Sequence, residues 1–164
     1  MANTDVRLPS LWSRRPTAAL AAAGCGLLAW VLVATAWMYD DAYITLRTID
    51  NAVNGFGLRW NIGERVQAFT HPAWLFVLTP FYAITREAFF TTLAVQIVLA
   101  LITGFVLLRY VATTLAGALL VAALLVSSKA LVDFSTSGLE NPLTHLVLVL
   151  AFLVWRSSPP ASRT

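Results

Sequence analysis

Long apolar segments alternate with shorter polar ones along this chain, and their lengths predict helices rather than strands. Residues 18–38 form one apolar run, residues 88–108 a second of the same length, and residues 111–128 and 142–155 two shorter ones. A helix needs about 20 apolar residues to cross about 30 Å of hydrocarbon. A fifth apolar segment, residues 72–84, is shorter and suits a helix lying at the membrane surface. The pattern predicts an all-α membrane protein with about four transmembrane helices.

The amino-acid composition supports the membrane assignment and excludes several other classes of protein. Of the 164 residues, 59% are hydrophobic and only 12% are charged, whereas a soluble domain has about 25% charged residues. The abundance of Leu and Val excludes a disordered chain, and a single cysteine excludes a disulfide framework. The net charge of +3 is too small and too scattered for a nucleic-acid-binding surface. We therefore expect the lipid bilayer, and no nucleic acid, as a partner.

The basic residues predict which side of the plasma membrane each end of the chain faces. Arg14 and Arg15 precede the first span and Arg156 follows the last, and basic residues mark the cytoplasmic side. Both ends are then cytoplasmic, which requires an even number of spans and excludes residues 72–84 from the count. Residues 1–17 are predicted to be a cytoplasmic N-terminal tail. Residues 18–155 form the four-span unit, with outer loops at 39–87 and 129–141. Residues 156–164 form a second cytoplasmic tail or a truncated linker.

Two adjacent acids, Asp40 and Asp41, come directly after the first span. They repel each other, and both face the negative end of the helix dipole. If Asp41 caps the next helix, one of the two acids is explained and the other is not. A general base or a cation site accounts for both, and we prefer that interpretation.

The segment after the acids is predicted to be a helix that lies along the membrane surface. Ala42, Leu46, Ile49 and Val53 recur at helical spacing, and Gly55 ends the pattern. The opposite face carries polar side chains, namely Arg47, Asp50, Asn51 and Asn54. An amphipathic helix in the first outer loop follows.

Side chains able to bind a phosphate are also concentrated in the first outer loop. They are Arg47, Arg65 and His71, with Asn61 and Glu64 close by in the sequence. Guanidinium and imidazolium groups bind phosphate, but they also face lipid headgroups, and for any one of them alone the headgroup interpretation is the stronger. Trp60 and Trp74 suit the headgroup layer as well.

The second outer loop contains an acid with two equally weighted interpretations. Ser137 and Glu140 have the spacing of a capping box at the start of the fourth span, with Pro142 in its first turn. Glu140 is then either structural or catalytic. Lys129 and Asp133 are four residues apart, a spacing that favours an ion pair.

These segments, taken in order, resemble a known enzyme family. The matching series comprises residues 40–44, 46–47, 51, 55–58, 61, 63–66, 70–74 and 133–140. The series is similar to the N-terminal part of the GT-C glycosyltransferases, and in particular to the terminal arabinofuranosyltransferases of mycobacterial and corynebacterial cell-wall arabinan. No single motif carries the resemblance, but their order is specific, and it covers about residues 28–155.

The resemblance implies a partial GT-C transmembrane module and a membrane glycosyltransferase. Its donor would be a polyprenyl-phosphate sugar, such as arabinofuranose, its acceptor a cell-envelope glycan, and its active site would face the extracytoplasmic side. Asp40 and Asp41 match the position of the catalytic acid, without a choice between them, and Glu140 matches the second acidic motif. A divalent cation on Asp41 and Glu140 is a further option. The residues that would bind the donor phosphate and substrate are Arg47, Asn61, Glu64, Arg65 and His71.

Two other classes of function remain open at this stage. One is a non-catalytic accessory protein that presents a lipid-phosphate site, for which the arginines would matter and the aspartates would not. The other is an ion-coupled transporter fragment, which we rank last because Gln96 is the only strongly polar residue inside the two longest spans. Since the family module has about seven spans, we expect this chain to be the front portion of an enzyme and inactive alone.

Overall fold

Seven α-helices account for most of the described chain, and no strand occurs among the residues described. The computed structural model describes residues 16–64, 66 and 68–158. In chain order the helices are α1 (Ala18–Ala34), α2 (Ala42–Val53), α3 (Pro72–Thr85), α4 (Phe89–Val106), α5 (Leu115–Ser127), α6 (Lys129–Phe134) and α7 (Asn141–Ser157). A π-helical turn, Leu107–Val111, continues α4. The predicted all-α fold is confirmed for this part of the chain.

Two of the four apolar helices, α1 and α5, are shorter than the predicted spans. α4 and its π-helical turn together, Phe89–Val111, have 23 residues and form the one described helix that is long and apolar enough to cross a membrane. α1 and α7 have 17 residues each and α5 has 13. Four complete crossings therefore remain a prediction.

The first predicted span extends too far at its C-terminal end, because α1 already ends at Ala34. Beyond that point the backbone turns towards the segment before α7. The amide of Tyr39 donates a hydrogen bond to the carbonyl of Ser137 at 2.8 Å. The indole N–H of Trp37 donates to the carbonyl of Asp133 at 3.0 Å. These contacts bring the acids after α1 next to residues 129–141.

The third predicted span begins too early, since α5 starts at Leu115. Ala112 and Thr114 have extended backbones that interrupt the helix. The hydroxyl of Thr114 accepts a hydrogen bond from the Gly117 N–H at 3.1 Å, which caps the new helix. The predicted limits of α4 and α7 agree with the structure to within a few residues.

Glycines allow α1 and α4 to pack closely, and the paired positions show that these helices are antiparallel. A Cβ on Gly24 would lie 2.8 Å from a methyl carbon of Leu108, and one on Gly104 would lie 3.1 Å from a methyl carbon of Leu28. The earlier residue of α1 thus meets the later residue of α4. α5 starts beside the end of α4 and returns along α1.

α7 runs parallel to α4, since contacts link their beginnings to each other and their ends to each other. At the beginnings, the Gln96 amide bonds to the carbonyl of Leu139. At the ends, the guanidinium of Arg156 donates to the carbonyl of Tyr110 at 2.9 Å. The residues after α1, those before α4 and those before α7 therefore lie at one end of the bundle, which we call the acidic end.

α2 and α3 pack side by side at the acidic end. Their shared hydrophobic cluster has as buried members Leu46, Ile49, Trp74, Leu75, Leu78 and Tyr82. The hydroxyl of Tyr82 donates to the carboxylate of Asp50 at 2.6 Å, and Arg86 donates to the side-chain oxygen of Asn54 at 3.0 Å. The two helices therefore run in the same direction, fixed by polar bonds as well as by apolar contacts.

The predicted amphipathic helix is confirmed, with one error in its polar face. α2 ends at Val53, as the glycine pattern predicts, and buries the apolar face Ala42, Leu46 and Ile49. Asn51, however, is buried rather than exposed. Its amide donates to the carbonyls of Arg59 and Trp60 at 2.8 and 2.9 Å, so it holds the loop after α2 against the helix.

Candidate active site

A cavity of about 340 Å³ opens at the acidic end of the bundle. Its polar lining side chains are Asp41, Thr45, Thr70, His71 and Glu140. They come from the start of α2, the start of α3 and the start of α7, which are far apart in the sequence. The fold thus brings two of the predicted acids and the predicted histidine to one cavity.

The imidazole of His71 is the centre of the hydrogen bonding in this cavity. Its Nδ1 lies 3.3 Å from Oε2 of Glu140, and its Nε2 lies 2.6 Å from the hydroxyl of Thr45. A neutral ring whose Nδ1–H donates to Glu140 and whose Nε2 accepts from Thr45 satisfies both contacts. The side chain of His71 is only 16% exposed, whereas that of Glu140 is 42% exposed. The carboxylate is therefore reachable from solvent and the ring is held behind it.

Local sequence explains the position of His71. It occupies the N-cap position of α3 with a non-helical backbone (φ −125°, ψ 72°), immediately before Pro72. A residue before proline avoids the helical region, because the proline ring would collide with its backbone and Cβ. The histidine therefore stays outside the helix.

The structure separates the two adjacent acids that sequence alone left equivalent. Asp41 lines the cavity and Asp40 does not, as far as the described residues define its wall. A carboxylate oxygen of Asp40 accepts a hydrogen bond from the Asp41 N–H at 3.0 Å. Asp41 stands at the N-cap position of α2, but its side chain makes no capping bond to this described helix. Its carboxylate thus remains available to the cavity.

A buried amide on α4 holds the loop that carries Glu140. Gln96 is completely buried. It donates to the carbonyl of Leu139 at 2.6 Å and accepts from the N–H of Gly138 at 2.8 Å. The indole of Trp74 donates to the carbonyl of Gly138 at 2.9 Å. Because two helices bond to consecutive peptide groups, the backbone next to Glu140 has little freedom.

Gly138 is required at its position for two independent reasons. Its φ of +86° is unfavourable for residues with a side chain. A Cβ at this position would lie 2.4 Å from the Cβ of Ala42 and 3.0 Å from Met38. The loop therefore touches the start of α2, which places Glu140 close to Asp41.

The predicted capping box at the start of α7 is wrong. The helix begins at Asn141, with Glu140 at the N-cap position and without a capping bond from its carboxylate to this described helix. The hydroxyl of Ser137 instead donates to the carbonyl of Phe134 at 3.2 Å and accepts from the Leu139 N–H at 3.3 Å. The capping interpretation of Glu140 is thereby removed, because its side chain points to His71.

The structure also tests three predictions about individual residues near this site. Pro142 lies in the first turn of α7, as predicted. Lys129 and Asp133 form the predicted ion pair. The assignment of Trp74 to the headgroup layer is wrong, since its side chain is fully buried and hydrogen-bonded to the loop.

Most of the predicted phosphate-binding residues lie in a separate cluster. Arg47 donates to the carbonyl of Trp60 at 3.1 Å and to the side chain of Asn61 at 3.2 Å, and its guanidinium lies 4.5 Å from the centroid of the indole of Trp60. Asn61 in turn donates to Glu64 at 3.3 Å. This cluster fixes the loop to the exposed face of α2. Of the predicted set, His71 alone lines the cavity in the described part of the chain, and Arg65 lies outside the described residues.

The arrangement of potential metal-binding side chains gives no further support to the predicted divalent cation. The described residues contain no group of three or more His, Cys, Asp and Glu side chains that could hold a metal ion. Asp41 and Glu140 still line the same cavity. The site thus presents two carboxylates and one imidazole that is already hydrogen-bonded.

Sequence reasoning missed Thr45, Trp74 and Gln96 as parts of this site. Thr45 follows Asp41 by four residues, so helical spacing places both on one face. Gln96 is the only strongly polar residue in an apolar helix, which signals a buried partner. No sequence pattern identifies that partner.

Comparison with known proteins gives two relatives of the same name. Both are called terminal β-(1→2)-arabinofuranosyltransferase. The protein from Mycobacterium tuberculosis is 35% identical over 144 residues, which cover 79% of this chain and 22% of the relative. The protein from Corynebacterium glutamicum is 32% identical over 160 residues, which cover 89% of this chain and 23% of the relative. The resemblance to these enzymes is confirmed, and the chain spans about a fifth of their length. No family model and no solved structure matches the chain.

Proposed function

We propose that this chain supplies the acid–base part of a membrane glycosyltransferase. The enzyme would transfer a sugar from a polyprenyl-phosphate donor to a cell-envelope glycan on the extracytoplasmic side of the plasma membrane. The names of the relatives support arabinofuranose as the sugar and a β-(1→2) linkage as the product. The observation that carries the proposal is the single cavity shared by Asp41, His71 and Glu140.

Asp41 is the general base in this proposal. The acceptor hydroxyl attacks the anomeric carbon, and its proton passes to the carboxylate of Asp41 as the new bond forms. The bond from the anomeric carbon to the phosphate oxygen breaks, and its electron pair leaves with the phosphate. Asp41 is preferred over Asp40 because the carboxylate of Asp40 is directed to the neighbouring backbone N–H.

Glu140 and His71 act together on the sugar donor, at its phosphate group. Glu140 fixes the orientation of the His71 ring through the contact at 3.3 Å. The hydroxyl group of Thr70 is a hydrogen-bond donor beside the space where the phosphate would acquire charge, whereas the proton of the Thr45 hydroxyl is used in its bond to the His71 ring. Preorganised donors of this kind stabilise developing negative charge. Arg65 remains a proposed contributor of positive charge.

A divalent cation is proposed only as an addition to this scheme. Mg²⁺ is commonly held by one or two carboxylates together with substrate phosphate, and Asp41 and Glu140 are the residues that would hold it. The ion would add positive charge at the phosphate. Removal of divalent ions with a chelator tests this addition separately.

The outward faces of the helices support a location within the bilayer. Large apolar side chains are exposed on them, including Trp30 on α1, Phe90 on α4, Leu120 on α5 and Val154 on α7. Such surfaces are compatible with lipid contact and unfavourable in water. We therefore propose four membrane-crossing helices with the acidic end outside.

A chimeric enzyme provides the activity test. The aligned segment of the Mycobacterium tuberculosis relative is replaced by this chain, and transfer from a polyprenyl-phosphate arabinose donor is measured. Asp41→Asn should reduce transfer about 10²- to 10⁴-fold, the usual contribution of a general base. Asp40→Asn is the matched control and should retain most of the activity.

The alternative outcomes are equally specific. If Asp41→Asn leaves an active chimera unchanged, the catalytic assignment is wrong and an accessory role in lipid-phosphate binding replaces it. Measurable transfer by the 164-residue chain alone would contradict the expectation that it needs further segments.

A further inference from the structure

We propose that the helix bundle binds one acyl chain of an ester-linked bilayer lipid in an interior cavity. The cavity has a volume of about 230 Å³ and lies among α1, α4, α5, α6 and α7. Its wall includes the apolar side chains of Leu28, Ala100, Leu125 and Val149 and the polar ones of Ser135 and His145. An apolar cavity of roughly 150 Å³ is already large enough to bind benzene. Part of a hydrocarbon chain therefore fits this one.

A second cavity, of about 350 Å³, adjoins the first on the side of the acidic end. Leu131 and His145 belong to the walls of both cavities. The second cavity is also lined by Ser128, at the start of α6, and by Asn141, the first residue of α7. The two cavities therefore form one path, from a polar mouth at the acidic end to an apolar space inside the bundle.

One face of α7 has the same order of polarity as a lipid molecule. Asn141, His145 and Val149 follow one another at intervals of four residues, so they lie on the same side of the helix. Since a helix rises about 1.5 Å per residue, His145 lies about 6 Å and Val149 about 12 Å deeper than Asn141. Hydrogen-bonding groups thus lie near the mouth, and apolar side chains lie further inside.

The polar side chains of this path have unused hydrogen-bonding groups. His145 is half-buried, and its ring makes neither a hydrogen bond nor an ion pair within the described part of the chain. The same holds there for the side-chain amide of Asn141 and for the hydroxyl of Ser135, a residue that is only 1% exposed. An unpaired polar group in apolar surroundings is costly, and an ionisable residue within a membrane helix commonly marks a functional site. A ligand with hydrogen-bond acceptors would complete these groups.

The residues in the walls specify the class of lipid. No lysine or arginine of the described chain lines either cavity, so a phosphate held here would lack a balancing charge. Ester carbonyls are uncharged acceptors, for which an amide, an imidazole N–H and a hydroxyl are suitable donors. A polyprenyl phosphate has no ester and carries its phosphate directly on the chain. The path therefore suits a glycerolipid rather than the proposed sugar donor.

The cavity also reaches the surface that the proposed bilayer would cover. Leu148 belongs to its wall and is 61% exposed, so a chain can enter beside α7. The inference rests on the proposed location in the bilayer. It does not rest on glycosyl transfer, because no residue lines both this path and the cavity of Asp41.

Photo-crosslinking of the purified 164-residue chain in phosphatidylcholine nanodiscs tests the proposal. The probe is a phosphatidylcholine with a diazirine in one ester-linked chain, and the labelled residues are identified by mass spectrometry. We expect labelling of Leu28 and Leu125, which are buried in the bundle and line the cavity. Leu78 is the matched control, because it is as buried as Leu28 but lies in the cluster between α2 and α3. It should stay unlabelled.

Two valines on α7 provide a matched pair of variants. Val149→Phe adds volume inside the cavity and should abolish most of the labelling of Leu28. Val147→Phe makes the same change at an exposed position that lines neither cavity, and it should leave the labelling unchanged. Circular dichroism confirms that each variant is folded.

An ether-linked probe tests the role of the ester. It has the same chains and headgroup but no carbonyl groups. Labelling of Leu28 in the wild type should fall about two- to tenfold with this probe, as expected for the loss of one hydrogen bond. His145→Leu should reduce the difference between the two probes. Equal labelling of the wild type by both probes would overturn the assignment of an ester-linked lipid.

The remaining outcomes separate this proposal from the others. Labelling of outward-facing residues such as Leu120 without labelling of Leu28 would overturn the interior site and leave the bilayer location intact. No labelling of either residue would contradict both. Equal labelling of Leu28 in Val149→Phe and Val147→Phe would place the chain outside the cavity. Loss of labelling on addition of a polyprenyl phosphate would assign the cavity to the sugar donor and would also overturn the proposal.

Discussion

Replacement of Gln96 by leucine is expected to release the loop that carries Glu140. Leucine nearly preserves the volume of glutamine and suits an apolar helix, so the main change is the loss of two hydrogen bonds. The carbonyl of Leu139 and the N–H of Gly138 would then lack their partner. Since Gly138 is buried and Leu139 is half-buried, water cannot fully replace the amide.

The magnitude follows from these two backbone groups. Each buried polar group left without a partner costs about 1–3 kcal/mol, so the loss of two such bonds in Gln96→Leu should lower the free energy of unfolding by about 2–6 kcal/mol. That is a large share of the roughly 5–15 kcal/mol that stabilises a typical domain. Gln96→Glu keeps the acceptor for Gly138, but it places a completely buried carboxyl group against the carbonyl of Leu139, so it should also destabilise the protein.

Thiol labelling measures the release of the loop at the site itself. Glu140→Cys is introduced in a Cys25→Ala background, and its reaction rate with an impermeant thiol reagent is measured with and without Gln96→Leu. We expect the rate to rise several-fold. Thr103→Val is the matched control, since it removes a polar group from α4 whose hydroxyl bonds only to its own helix, at the carbonyl of Leu99.

An unchanged labelling rate together with unchanged stability in Gln96→Leu would refute this reasoning. The loop would then be held by its remaining bonds, from Trp74 to Gly138 and between Tyr39 and Ser137. A stability loss without faster labelling would mean that Gln96 supports the fold but does not position Glu140.

Three further predictions concern the same end of the molecule. Gly138→Ala should lower the free energy of unfolding by about 2–4 kcal/mol, because the left-handed backbone and the collision with Ala42 both oppose a Cβ; thermal unfolding in detergent measures it. Trp74→Phe should cost about 1–3 kcal/mol in the same measurement, since it leaves the carbonyl of Gly138 without its indole donor. Burial, together with the hydrogen bond to Asp50, raises the pKa of Tyr82 to about 12. The phenol thus ionises first in the unfolded state, and wild type should lose stability relative to Tyr82→Phe as the pH rises from about 10 to about 12; parallel unfolding curves at each pH test this.

Local patterns predicted those features of the fold that depend on local sequence. The spacing of apolar residues and the glycine at position 55 gave the bounds of α2, because both act within a few residues. The distribution of basic residues placed Asp41 and Glu140 on the same side, and they share one cavity. Two apolar helices, α4 and α5, separate the two loops, so the chain returns to the end of the bundle from which α4 starts.

Long-range partners could not be predicted in the same way. Ser137 and Glu140 fit a capping box, but tertiary hydrogen bonds to Gln96 and Trp74 impose another backbone on the loop. Asn51 fits a polar helical face, but the loop after α2 folds back over it. In both cases a tertiary contact outweighs the local preference, which for a helix cap is worth about 1 kcal/mol.

The bond between Gln96 and Leu139 has a consequence for the order of events during synthesis. Leu139 follows Gln96 by 43 residues, so at about 5–20 residues per second the ribosome reaches it about 2–9 s after the glutamine. For that interval the long apolar helix of the nascent chain carries a glutamine whose final partner has not yet been synthesised. Formation of α4 and fixation of the loop that carries Glu140 are therefore separate steps, and the helix is open to incorrect pairing of Gln96 in the interval between them.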